Sequence, residues 1–102
     1  YIMDGGSTDN TINIVNQHIA ESNKQNIEIT LTVDRDEGMY DAIYKGFIKG
    51  NGDIMAWINS DDIYLPSTLQ TVETIFEQHK DIDWIVGIPA HINDRNAFWL
   101  PS

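Results

Sequence analysis

Apolar positions change their period several times along this chain. Tyr1-Ile2-Met3 opens as a short apolar run and stops at Asp4. Ile12, Val15 and Ile19 then recur at three- and four-residue spacing, one face of a helix over about 9–22. Ile27, Ile29, Leu31 and Val33 alternate with Glu28, Thr30 and Thr32, the period-two signature of a strand over 27–33. A second helix is predicted over about 39–49, closed by Lys49-Gly50-Asn51-Gly52-Asp53, a helix stop and tight turn. The continuous run Ile54-Met55-Ala56-Trp57-Ile58 predicts a buried strand over 53–58. Leu69, Val72, Ile75 and Phe76 predict a third helix over about 66–79, with Pro66 in its first turn. Asp83-Trp84-Ile85-Val86-Gly87 reads as a last strand. Strands alternating with helices imply parallel crossovers, so the expected fold is α/β with a mainly parallel sheet. Residues 88–102 show neither period, although Phe98, Trp99 and Leu100 suggest a segment that packs on something.

Three of the strand-to-helix loops carry chemistry. Asp4-Gly5-Gly6-Ser7-Thr8-Asp9 supplies a carboxylate, two glycines and two hydroxyls between a strand and a helix. The glycines allow close backbone approach to a ligand, and Ser7, Thr8 or Asp9 can cap the helix. Asp36-Glu37-Gly38-Met39-Tyr40-Asp41 opens the second helix, and Asp41 near its first turn complements the helix dipole. Asn59-Ser60-Asp61-Asp62 ends the run 54–58 with two adjacent carboxylates. Such a pair suits a hard divalent cation that also holds phosphate oxygens, and equally suits a helix cap. Ligands of open parallel sheets bind at the carboxyl ends of the strands, where these loops lie.

In order and spacing, the motifs Asp4-Gly5-Gly6-Ser7-Thr8-Asp9, Gly38-Met39-Tyr40-Asp41-Ala42 with Lys45-Gly46, and Gly52-Asp53-Ile54 with Trp57-Ile58-Asn59-Ser60-Asp61-Asp62 resemble the nucleotide-sugar-binding half of the family 2 glycosyltransferases. The resemblance spans roughly residues 1–87. It implies the GT-A fold, a Rossmann-like nucleotide-diphospho-sugar transferase architecture, here incomplete. It implies inverting transfer of a sugar from a nucleoside diphosphate, with a UDP-sugar as donor and a saccharide or lipid-linked molecule as acceptor, in polysaccharide or cell-envelope synthesis. By the same resemblance Asp4 accepts from the base edge, Gly6 and Ser7 line the donor nucleotide, Asp61 lies near the ribose or donor sugar, and Asp62 holds Mn²⁺ or Mg²⁺. Asp41 and Lys45 line the donor pocket, and Lys45 alternatively is a solvated helix cation. Family 2 enzymes normally begin with another strand, which lies mid-sheet, and carry a catalytic base well past the metal motif. The chain therefore reads as a partial domain over 1–102, its base expected beyond Ser102. Asp94 is the acidic residue of the tail and a weak candidate for that role.

Composition narrows the field further. A formal charge of −10 does not suit nucleic acid, which needs a basic face. A bound cation reconciles that charge with an anionic nucleotide. With 41% hydrophobic residues the chain can build a core, and without cysteine it has neither disulfide nor thiolate chemistry. No apolar run reaches the roughly 18 residues of a membrane span. Composition agrees with a soluble, cytosol-facing catalytic domain, with the full-length protein expected in the cytoplasm or, alternatively, at the cytoplasmic face of a membrane. Trp57 is expected in the core, while His18, His79 and His91 lack metal-ligand spacing and are expected at the surface. A phosphatase with an aspartyl nucleophile would need Asp where Ile2 stands. A calcium loop starting at Asp34 would need Glu where Lys45 stands. A sugar-nucleotide nucleotidyltransferase and a non-catalytic nucleotide-sugar-binding remnant stay as alternatives.

Overall fold

The computed structural model describes residues 1–93, 95 and 98–99. Asp94 lies outside the described residues. The chain divides into two units, Tyr1–Ser60 and Asp61–Ser102.

The first unit runs strand β1 (Ile2–Asp4), helix α1 (Thr11–Ser22), a 3-10 turn (Asn23–Gln25), strand β2 (Leu31–Val33) and helix α2 (Met39–Lys49). β1 and β2 pair in parallel, with Ile2 opposite Leu31 and Asp4 opposite Val33. The ladder is extended by Ile2 N–H donating to the Thr30 carbonyl at 2.8 Å and Asp34 N–H donating to the Asp4 carbonyl at 2.9 Å. α1 presents Ile12, Val15 and Ile19 as its half-buried stripe, the same residues that set its period. It starts two residues later than expected because Asp9 captures the chain first. Its carboxylate accepts from Thr11 N–H at 3.0 Å and Thr11 Oγ1–H at 2.6 Å.

α2 has the expected bounds, 39–49. It lies over β1 at Gly46, where an added Cβ would stand 3.3 Å from Met3 Cγ. Its end is capped by Gly50, whose N–H donates to the carbonyls of Gly46 and Phe47 at 3.1 Å each. An open groove of about 310 Å³ runs between α2 and the strands, lined by Met3, Thr32, Asp34, Lys45, Ile48 and Lys49.

Two predicted strands do not form. Residues 53–58 and 83–87 join no ladder among the described residues. A strand exists through its partner's hydrogen bonds, and apolar character alone does not supply one. Ile54, Met55, Trp57 and Ile58 are all exposed rather than buried. Trp57 rests its ring against Phe47 of α2, edge to face at 6.1 Å between centroids, so it packs on a helix rather than in a sheet core. β2 is also shorter than the alternation suggested. The 3-10 turn and the left-handed Asn26 (φ 58°) leave the chain at residues 27–29 off the ladder.

In the second unit, helix α3 spans Thr68–Gln78. Pro66 lies before it rather than in its first turn. A turn closed by Thr68 N–H on the Leu65 carbonyl (3.1 Å) and a left-handed Ser67 (φ 70°) separate the two. Val72, Ile75 and Phe76 form its half-buried face, while Leu69 is exposed. The tail carries structure that showed no period. Strands β3 (His91–Ile92) and β4 (Phe98–Trp99) pair antiparallel, and two residues a side are too few for alternation to register. The expectation of a core fails at this scale: among the described residues none is buried. Among the described residues each ladder has two strands, and three or more with an apolar face are needed to shelter a core.

Candidate functional site

Parallel pairing decides where the first two loops go. Because Asp4 stands opposite Val33, the loops after β1 and β2 leave the same end of the ladder. That is the carboxyl end, where a parallel sheet presents ligand-binding loops.

The first loop closes on Asp4. Its Oδ1 accepts from Gly6 N–H at 2.9 Å and Ser7 N–H at 2.7 Å, and its Oδ2 accepts from Ser7 Oγ–H at 2.5 Å. These three donors, the Ser7 hydroxyl foremost, hold the Asp4 carboxyl below the ordinary aspartate range. Wrapping the backbone around one carboxylate requires φ of 103° at residue 6, which glycine adopts without strain. Asp4, Gly6 and Ser7, three of the residues picked out by sequence, thus form one turn. Asp9 is held below the ordinary range as well, by the Thr11 hydroxyl and amide.

The second loop, Asp34 to Gly38, is tied down from α2. Asp41 Oδ2 accepts from Glu37 N–H at 3.0 Å and from Lys45 Nζ at 2.9 Å. Lys45 Nζ also donates to the Arg35 carbonyl at 3.2 Å and pairs with Asp34 Oδ2 at 3.7 Å. The Glu37 amide first, and Lys45 after it, lower the Asp41 pKa, and Asp41 raises that of Lys45. Both side chains are half-buried, and Lys45 reaches from α2 into the second loop. Asp36 Oδ1 accepts from Gly38 N–H at 3.0 Å, and Gly38 turns into the helix at φ 116°.

The two loops touch. A Cβ at Gly5 would stand 2.9 Å from Asp36 Oδ2. Glycine at position 5 therefore admits the Asp36 carboxylate against the first loop. Asp34 and Asp36 were not among the site residues expected from sequence, although Asp36 heads the quoted loop motif. The signal was present, since both lie in the acidic loop between β2 and α2.

Asp61 and Asp62 belong to the second unit and lie exposed at a turn. The segment before them forms no strand, so they do not end a parallel one as expected. No group of three or more His, Cys, Asp or Glu side chains is placed to hold a metal among the described residues.

The family description "Glycosyl transferase family 2" matches residues 1–102. The chain belongs to glycosyl transferase family 2. Membership brings the GT-A fold, of which β1, α1, β2 and α2 are the consecutive parallel unit. A PGL/p-HBAD biosynthesis glycosyltransferase of Mycobacterium bovis BCG is 31% identical to this family 2 chain over 87 residues. That alignment covers 84% of the chain and 33% of the relative. Its counterpart in Mycobacterium tuberculosis H37Ra matches to the same extent. An uncharacterized glycosyltransferase of a Nostoc species is 27% identical over 92 residues, covering 90% of the chain and 26% of the relative. The chain thus spans about a third or less of the curated relatives it matches. No solved structure matches it significantly. Among the described residues, no helix of the family 2 chain is long and apolar enough to cross a membrane.

Proposed function

We propose that the intact protein is a metal-dependent, inverting transferase that moves a sugar from a nucleoside-diphosphate donor, a UDP-sugar, to a saccharide or lipid-linked acceptor. One observation carries this reading: in a chain of this family, two acidic, glycine-bearing loops emerge together at the carboxyl end of a parallel pair. A carboxylate offers about four acceptor positions, and Asp4 commits three of them to its own loop. The fourth suits the N–H of a uracil edge, with Gly6 and Ser7 beside it. Asp41 and Lys45 belong to the donor side through the second loop, and Asp61 lies near the ribose or donor sugar. The mycobacterial relatives are named for biosynthesis, which supports a synthetic direction.

Asp62 is the proposed ligand of Mn²⁺ or Mg²⁺. An oxygen donor fits such a hard cation. Magnesium-type sites use one or two carboxylates with waters and substrate phosphates, so a ready-made cluster of three is not required. When bound, the ion supplies positive charge to the departing diphosphate. The acceptor hydroxyl attacks the anomeric carbon from the opposite face. Its proton goes to a general base.

Calorimetry of UDP with the intact protein, with and without Mn²⁺, tests this directly. Binding should require Mn²⁺, and Asp62→Ala should abolish that requirement together with most of the affinity. Undiminished Mn²⁺-dependent binding in the variant would place the metal on other residues.

A further inference from the structure

The second loop is held at four consecutive residues, and three of those ties lead to α2. Asp34 pairs with Lys45 through its carboxylate, Arg35 accepts from Lys45 through its carbonyl, and Glu37 donates to Asp41 through its amide. The residue between them, Asp36, has one carboxylate oxygen fastened to Gly38 N–H and the other against Gly5. Lys45 is common to this arrangement, since it also holds the Asp41 carboxylate that receives Glu37. An aspartate four residues ahead of a lysine on a helix is the favourable order for such a pair. The loop carries carboxylates at 34, 36 and 37 and leans on a loop built around a fourth. Without a cation beneath it, like charge would drive the second loop away from the first.

We propose that Lys45 is a positioning residue: it clasps the Asp34–Gly38 loop from below and thereby seats Asp36 against Gly5, so that the first two loops act as one nucleotide-facing unit. This rests on the nucleotide reading above and deepens it. Lys45 then serves the donor without touching its phosphates. Gly5 is the matching half of the device. Any side chain at position 5 meets the Asp36 carboxylate and displaces it from its seat against the first loop.

The test uses the intact protein with UDP and Mn²⁺, and with uridine alone. Lys45→Met, which keeps the stem and removes the charge, should weaken both ligands by the same factor. That factor should be about tenfold, the effect of a group that orients a ligand-bearing shell. Lys45→Arg should recover most of the loss. Gly5→Ala should weaken both ligands as well, and undiminished binding of both would count against the seat at Gly5. A loss confined to UDP would make Lys45 a phosphate contact and overturn the proposal, as would no loss at all. Amide resonances of Gly5, Gly6 and Ser7 give a reading independent of nucleotide. They should shift in Lys45→Met and return in Lys45→Arg, and unmoved resonances would sink the clasp. Should the unaltered protein bind neither ligand, the nucleotide reading falls, and the resonances alone decide whether the loops are coupled.

Discussion

Asp4 shows how one side chain can be both structural and available. Its carboxylate holds the turn together through the Ser7 hydroxyl and two amides, and those donors depress its pKa. The linkage has a definite sign. A carboxyl whose folded pKa is depressed contributes stability above its unfolded value, near 3.9. That contribution is lost as pH falls through the lower folded value. The turn should therefore be fully formed at neutral pH and loosen only in acid. Following the Asp4 carboxyl resonance against pH should give a midpoint below the ordinary aspartate value, and Ser7→Ala should move it upward. A midpoint unaffected by Ser7→Ala would remove the hydroxyl from the account. The same residue shows what a sequence conveys at this scale. Asp-Gly-Gly-Ser announces a tight turn with a carboxylate and hydroxyls in it. It does not say that the carboxylate commits most of its acceptor capacity to its own loop.

At the scale of elements, α1 and α2 were legible because an amphipathic stripe is local information, although Asn10 rather than Ser7, Thr8 or Asp9 stands at the N-cap of α1 and makes no side-chain cap bond. Ile12, Val15 and Ile19 face inward as their spacing requires, and Gly50 stops α2. Strands 53–58 and 83–87 were misjudged because pairing is not local. Ile54–Ile58 has the composition of a buried strand and no ladder to join among the described residues. The contact of α2 with β1 offers a graded test. At Gly46 a methyl would sit 3.3 Å from Met3 Cγ, a gap that a flexible methionine can open by a few tenths of an ångström. Exchanging glycine for alanine inside a helix gains roughly 0.5–1 kcal/mol. Gly46→Ala should therefore be neutral or stabilising, whereas Gly46→Val should overpack and cost about 1–3 kcal/mol. Urea unfolding of the intact protein reads both. A large loss with alanine would mean that Met3 cannot yield and that α2 seats more tightly on β1 than its side chains indicate.

For the molecule as a whole, the described residues include no buried side chain, and the two ladders have two strands each. Apolar burial is the main force against chain entropy, so these 102 residues alone hold little in reserve. Prepared by themselves, they should show no cooperative thermal transition by near-ultraviolet circular dichroism, or should associate through open strand edges. A sharp transition from a strictly monomeric sample would contradict this. The parallel pairing of Ile2 with Leu31 also has a consequence in time. The whole α1 crossover lies between the two partners, and a parallel pair cannot be closed by a two-residue turn. Closing so long a loop before any ladder bond rewards it is entropically unfavourable. Helix α1, whose backbone hydrogen bonds are local, can form ahead of the ladder and shorten the search. The Asp4 and Asp34 loops lie side by side only once β1 and β2 have paired, so an emerging chain acquires that edge after the ladder beneath it has closed.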